Sequence, residues 1–280
     1  MKKILVTGVQ SYLGDSFARF MSQWPEEYEI DFIDLRKDEW KYAGFSGYDA
    51  IYHVTGIAHR KETKENAHEY YEVNRDLTAA VAEKARAEGV KQFIFLSSGT
   101  VYGVETGIIT KTTPINPKSN YGKSKAEAEK ALLELEDANF KVAILRPLMV
   151  YGKGCKGNYQ AIIKIVKKSP IFPRVHNRRS LIYIDNLSSF VKLTLDKELS
   201  GIFFPKNKTD VDIYEIVRIA AEALDKKIYM SWILGGIIYV CRGLFGITRK
   251  AFTDMVYKET DDFDYSYCVV DGKESIYRSI

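Results

Sequence analysis

Short apolar runs and longer amphipathic stretches alternate along the first two-thirds of the chain. The runs at 3–7, 28–34, 49–55, 91–97 and 140–145 are apolar on both faces, as ILV, FIFL and VAIL illustrate. That is the pattern of strands covered by helices on both sides. Helical spacing occupies 12–23, 66–88 and 118–136, and the 66–88 stretch closes at Gly89, a residue suited to the position after a helix. The alternation predicts an α/β fold built on a doubly wound parallel sheet.

The texture changes after Arg146–Pro147. YGKGCKGNY reads as a glycine-rich loop, SPIFPR as extended, and LIYIDNL as a strand running into a helix. Beyond it, strands are expected near 202–204 and 266–270, and helices near 212–224, 231–245 and 248–258. There is no internal repeat and no clean linker. The predicted division is a Rossmann-type domain over 1–150, to which 178–204 returns, and a small interleaved C-terminal lobe from 151–177 and 205–280.

Composition narrows the partners. The 280 residues carry 41 basic and 37 acidic side chains, a net charge of +4. The basic pairs at 2–3, 167–168, 178–179 and 226–227 are scattered, which argues against a nucleic-acid partner. Cys155, Cys241 and Cys268 are odd in number and widely spaced, so a reducing, cytoplasmic setting is expected rather than a disulfide framework. The four histidines show no paired-ligand spacing, and no metal is expected. The first apolar run is too short for a secretory signal. WILGGIIYVC, 232–241, falls well below the ~20 residues of a membrane span. It reads as a buried or partner-facing helix, with contact at a membrane interface as the lesser alternative.

The turn TGVQSYLG, 7–14, links the first strand to the first helix, the order of a dinucleotide-binding unit. Gly8 suits the tight turn and Gly14 close helix–sheet packing. Ser11 stands where the usual pattern has its middle glycine. A serine there costs room for a pyrophosphate, but it favours a helix N-terminus and its hydroxyl can donate to a phosphate oxygen. Asp34 ends the second strand, 20 residues beyond Gly14, where a carboxylate bonds ribose hydroxyls and repels a 2′-phosphate. That favours NAD; Arg36, two residues on, leaves NADP possible.

YGKSK places Tyr121 and Lys125 one helical turn apart. Of 19 tyrosines only Tyr121 has a lysine four residues later. Upstream, FIFLSSGTVYG ends a strand at Ser97–Ser98, the edge at which open α/β sheets carry ligands. Together with TGVQSYLG, YDAIYHVTG, YEVNRDLT, LRPLMVYG and RRSLIYIDNL, these segments make the chain resemble the extended short-chain dehydrogenase/reductase (NAD-dependent epimerase/dehydratase) family, in its nucleotide-sugar branch. The resemblance runs in order over roughly residues 1–195.

The resemblance implies roles. Tyr121 would be the acid/base at a sugar hydroxyl, Lys125 would hold the nicotinamide ribose and depress the tyrosine pKa, and Ser98 would orient the substrate oxygen, with Thr100 a second candidate. Gly8, Ser11, Tyr12, Leu13, Gly14, Asp34, Leu35, Arg36, Val54, Thr55, Gly56, Asn74 and Pro147 would surround the cofactor together with Tyr121 and Lys125. Arg178, Arg179 and Asn158 would meet the diphosphate and sugar, the paired fork of arginine being suited to phosphate. A phenol near pKa 10 must fall by ~3 units to act near neutral pH, on the order of 4 kcal/mol, from a neighbouring ammonium and the nicotinamide charge. The chemistry so implied is C4 epimerisation of a UDP-N-acetylhexosamine. The alternatives are an NAD(P)H-dependent 4-keto reductase of a deoxy-amino sugar and a non-catalytic cofactor-binding sensor or scaffold. Members of the family commonly dimerise through the helices that correspond to 66–88 and 118–136, so a homodimer is expected.

Overall fold

A computed structural model describes residues 1–241, 253–258 and 264–280. The chain divides into two compact units, the first made of 1–103, 114–147 and 187–205, the second of 104–113, 148–186 and 206–280.

The first unit is built on six parallel strands: β1 (Lys2–Thr7), β2 (Tyr28–Ile33), β3 (Ala50–His53), β4 (Gln92–Leu96), β5 (Lys141–Leu145) and β6 (Gly201–Phe203). Their order is β6-β5-β4-β3-β1-β2. The strand order reverses between β1 and β3, and in open α/β sheets the crevice beyond the strand ends at such a reversal receives the ligand. This is the expected Rossmann-type α/β sheet. Every residue of β3 and β4 is buried, which explains why these runs show no polar alternation.

Helices cover the sheet: α1 (Tyr12–Met21), α2 (Ala67–Tyr71), α3 (Leu77–Ala87) and α4 (Asn120–Leu135). One core layer joins Ile51, Phe93, Phe95, Val142 and Ile144 of the strands to Val81, Ala85, Ala128 and Leu132 of α3 and α4. Between α2 and α3 the predicted 66–88 helix passes through a π-helical segment, Glu72–Asp76, which turns Asn74 fully inward. Such bulges mark places where a helix gives up regularity for a site. Gln92 opens β4 and its amide donates to the carbonyls of Thr194 and Leu199, at 3.0 and 2.9 Å. Behind the β4 edge, Arg146 donates to both oxygens of Glu129 and, at 2.7 Å, to the Tyr102 hydroxyl, while the Ser97 hydroxyl donates to the same carboxylate. Arg146 and Glu129 are both buried.

In the second unit, α5 (Asn158–Lys168) follows the glycine loop, α6 (Ile184–Asp196) begins there and runs into the first unit, and α7 (Ile213–Ala223) and α8 (Trp232–Cys241) come after. Its core is held by polar side chains as well as apolar ones. Asn207 donates to the Tyr151 hydroxyl at 3.0 Å, and Asn186 donates to Asn207 and to the Val270 carbonyl, each at 2.9 Å.

Several expectations are corrected here. No strand forms over 266–270. Asn186 takes both the N–H and the carbonyl of Val270, and Tyr267 is anchored to the Lys206 carbonyl at 2.8 Å, so side chains satisfy this backbone instead of a ladder. In the predicted 248–258 helix, the described part holds a strand, Met255–Tyr257, parallel to Gly107–Ile109; tertiary pairing overrides the helical spacing. The remainder of that stretch, and 242–245, lie outside the described residues. α5 and a C-terminal helix, Gly272–Arg278, were not foreseen, although Asp271 accepts from Glu274 N–H at 2.8 Å in the arrangement that D-x-x-E announces. Segment 178–186, assigned to the sheet domain from the sequence, packs with the second unit.

The Glu129–Arg146 pair generates a test. Removing one member strands a buried charge, so Glu129→Leu is expected to lower unfolding free energy by about 3–5 kcal/mol in urea titrations. The double variant Glu129→Leu/Arg146→Leu should be less destabilised than Glu129→Leu alone.

Candidate active site

The β1/β3 reversal is lined by the β1–α1 turn and the stretch after β3. Gly8 has φ +93°, a left-handed conformation that side chains rarely adopt. At Gly14 an added Cβ would lie 2.7 Å from Ser11 Oγ and 3.1 Å from Val6 Cγ1, so close packing demands glycine there. Ser11 is the N-cap of α1, its Oγ accepting from Gly14 N–H at 3.1 Å. Accepting that bond leaves the hydroxyl hydrogen to donate. Tyr12 and Leu13 occupy the first helical positions, whose amides have no intrahelical acceptor. The Thr55 hydroxyl oxygen is buried without a hydrogen-bond partner, near Gly8.

A threonine–histidine relay supports this floor. Thr7 Oγ1 accepts from the N–H groups of Val54 and Thr55, at 3.2 and 3.3 Å. Both its lone pairs are then used, so its hydrogen goes to His53 Nδ1 at 3.2 Å. His53 Nε2 therefore carries the proton and donates to Thr78 Oγ1 at 3.0 Å. Burial, reinforced by the Lys125 charge, holds the His53 pKa down at about 3, so the ring is neutral. Sequence reading had missed all three residues: a buried histidine satisfied by two threonines has no motif.

At the end of β2, Asp34 is gripped by Arg36, whose Nε and Nη2 contact both carboxylate oxygens at 2.6–3.0 Å while its backbone N–H adds a bond at 2.9 Å. The side-chain bonds to Arg36, with the backbone bond next, hold the carboxyl pKa at about 2. The two residues that pointed to opposite cofactors are thus one unit. The Leu35 side chain belongs to the buried core. Val54 packs at 3.3 Å from the Cβ position of Gly8.

The sheet edge brings Ser98, Tyr121 and Lys125 together. Ser98 caps the short helix Gly99–Tyr102, accepting from Thr100 N–H at 3.2 Å, and lies close enough to Tyr121 to act on its phenol. Gly99 N–H donates to the Pro147 carbonyl at 3.0 Å, fixing that turn to the end of β5. Lys125 is buried; its Nζ donates to the Leu96 carbonyl at 2.9 Å and lies 4.3 Å from the Phe95 ring centre. Burial brings the Lys125 ammonium down to about 7, with Glu129 opposing. Burial pushes the Tyr121 phenol above its ordinary value, and Ser98 pulls it back. That net direction is the reverse of what an active base needs, and Lys125 is not among its causes.

Asn74 accepts from Ile57 N–H at 2.7 Å and donates to the Ile57 carbonyl and to Ser124 Oγ, at 3.1 and 3.2 Å. It fastens the loop after β3 to α4 and is a positioning residue. Glu62, missed by the sequence reading, accepts from the N–H groups of Asn120 and Tyr121 at 2.9 and 3.0 Å. It caps the helix that carries Tyr121 from 58 and 59 residues away, a separation no spacing rule reaches.

The expected substrate residues lie in the second unit. Arg178–Arg179 forms a strand antiparallel to Val211–Asp212. Arg179 is buried, which lowers its pKa against the pull of Asp254. Arg178 is exposed and its backbone N–H donates to Asp254 at 2.7 Å. Asn158 is the exposed first residue of α5. Thr100 is exposed in the first unit, beside Ser98.

The profile of the NAD dependent epimerase/dehydratase family matches residues 4–203. The chain belongs to this family. It is 38% identical over 207 residues to a UDP-glucose 4-epimerase of Vibrio cholerae, covering 70% of this chain and 62% of that protein. It is 28% identical over 229 residues to N-acetyl-alpha-D-glucosaminyl-diphospho-ditrans,octacis-undecaprenol 4-epimerase of Escherichia coli O157:H7, covering 77% of this chain and 68% of that one. Among solved structures it is similar to UDP-glucuronic acid 4-epimerase from Bacillus cereus in complex with NAD, with TM-score 0.74 and 19% identity, over 98% of this chain and 95% of that chain. That likeness concerns the fold.

The depressed lysine predicts a sign. Its native pKa of about 7 lies below the usual 10.5, so between those values the unfolded chain binds more protons. Stability should therefore rise with pH across that window, the cost of the buried ammonium being fully present below pH 7. In melting scans of nucleotide-free protein, wild type should gain on Lys125→Met as pH increases from 7 to 10. A flat difference would contradict the buried ammonium.

Proposed function

We propose that the chain is a nucleotide-sugar C4 epimerase acting on UDP-N-acetylhexosamines with NAD. The observation that carries this is the convergence of Ser98, Tyr121 and Lys125 at the end of β4, beside the glycine turn of β1 in one sheet. The residues fit the cofactor: a turn that admits no Cβ at Gly14, a helix N-terminus capped by Ser11, and a buried Thr55 hydroxyl awaiting a partner. Asp34 and Arg36 sit where an adenosine ribose is read, and the ionised carboxylate favours NAD over its 2′-phosphorylated form.

NAD, when bound, supplies the hydride acceptor and donor. Tyr121 removes the proton from the sugar C4 hydroxyl and returns it to the C4 oxygen once the opposite face is presented. Ser98, beside Tyr121, orients that oxygen. Lys125 binds the nicotinamide ribose; the upward push of burial on Tyr121 is opposed by Ser98 and, with NAD bound, by the positive charge of the nicotinamide. Arg178 and Arg179 are assigned to the diphosphate, and Asn158 to the sugar nucleotide. A relative whose substrate carries an N-acetylglucosaminyl diphosphate supports an acetamido sugar.

The deciding measurement is the nucleotide released by acid from freshly purified protein, followed by NMR of UDP-N-acetylglucosamine incubated with it. Near-stoichiometric NAD and appearance of the 4-epimer are expected. Protein without NAD that instead consumes NADPH with a 4-keto sugar nucleotide would replace the epimerase reading by a reductase. Tyr121→Phe should lose at least about 10²-fold in turnover while retaining its NAD. Unchanged turnover would remove Tyr121 from the mechanism.

A further inference from the structure

α8 is attached to the second unit by one narrow ridge. Ser231 and Gly235 are buried, one turn apart, with Leu234 and Ile238 half-buried beside them. A Cβ on Gly235 would lie 2.2 Å from the Arg174 carbonyl oxygen, so the helix meets that backbone directly. The rest of its surface is outward and apolar: Trp232 is 60%, Ile233 78%, Ile237 54% and Val240 75% exposed. Of the two expectations for this segment, a buried or a partner-facing helix, the exposure overturns the first. The short strand before α8, Tyr229–Ser231, pairs with Ile171–Pro173, and Tyr229 and Ile171 extend the same exposed apolar character.

The segments next to α8 are rich in basic residues. Residues 153–174 hold six basic side chains and no acidic one, and Lys226 and Lys227, after Asp225, lead into the strand before α8. Against a net charge of +4 for the whole chain, these eight leave the remainder at −4. Two of the lysine pairs that looked scattered along the sequence are brought together, because Lys226 Nζ donates to the Val166 carbonyl at 3.0 Å, one residue before Lys167 and Lys168. Arg174 lies over the Trp232 ring at 4.0 Å.

We infer that α8 and the strand pair beneath it dock the protein on an anionic lipid bilayer, lying in the interface without crossing it. No helix among the described residues is long and apolar enough to span a membrane. An exposed apolar helix with tryptophan at its start and lysine and arginine around it matches the two demands of such a surface, acyl chains below and anionic headgroups alongside. A second copy of the chain fits less well, since two such faces would bring like charges together. The inference does not rest on the catalytic reading.

The test is flotation of the full chain with vesicles of phosphatidylcholine, with and without phosphatidylglycerol. Binding is expected with phosphatidylglycerol and should weaken in high salt. Ile233→Asp/Val240→Asp and, separately, Lys167→Glu/Lys168→Glu should each reduce the bound fraction by about tenfold or more. Melting temperature checks that each variant remains folded. Wild type that fails to float with either vesicle overturns the inference. A dimer in light scattering that Ile233→Asp/Val240→Asp dissolves, without vesicle binding, assigns the face to a second copy instead. Binding abolished by competing nucleic acid and insensitive to the aspartate pair would assign the charge to a polyanion.

Discussion

The buried Glu129–Arg146 pair is the constraint on which the end of β4 and its neighbours depend. Glu129 sits on α4, one turn beyond Lys125, and Arg146 on the residue following β5. Their bidentate bond ties the helix of Tyr121 to the sheet, and the spare valences reach Tyr102 and Ser97 on either side of Ser98. A buried ion pair is weak evidence of net stability, because desolvation consumes much of its attraction. What it contributes here is direction. An apolar pair of equal volume could fill the space, but it could not also fix a serine hydroxyl and a tyrosine hydroxyl at the strand end.

The rest of the site follows from a second constraint: its polar groups are almost all committed to protein partners. Asn74 locks the loop after β3 to Ser124, Glu62 supplies the first amides of α4 with acceptors, and His53 uses both ring nitrogens. Groups so held pay no reorganisation when a reaction develops charge. The exceptions are informative. The Thr55 hydroxyl lacks a partner, and Lys125 is a buried ammonium whose charge is only partly compensated. A phosphate or ribose arriving at those points would relieve a cost already present in the fold.

How much of this was readable beforehand depended on whether the cause was local. The six sheet strands and α1, α3 and α4 follow from periodicity, and the Ser98, Tyr121 and Lys125 positions from motifs whose spacing is set by one helix and one strand end. Glu62, His53 and Thr7 were not legible, because their partners are brought close only by tertiary structure. The Asp34–Arg36 grip was half legible: both residues were identified, but as rivals. The 266–270 strand failed because Asn186 satisfies that backbone, and a side-chain substitute for a ladder leaves no alternation in sequence.

Net charge was the least faithful guide. A value of +4 suggests an even surface, yet it is the difference between an acidic majority of the chain and the basic residues of 153–174 and 226–227, which the pairing of 171–173 with 229–231 brings near one another. Averages conceal this because electrostatic attraction falls off within roughly 10 Å at moderate salt, so a ligand feels the local sum and not the total. The same applies to hydropathy. Ten residues of WILGGIIYVC look like core material by composition, but a ridge of Ser231 and Gly235 offers little side chain to bury. The buried ridge keeps only Leu234 and Ile238, and those half-buried, while Trp232, Ile233, Ile237 and Val240 stand in the open. Exposure of that kind is costly in water, and the basic residues around it indicate the environment in which the cost is recovered.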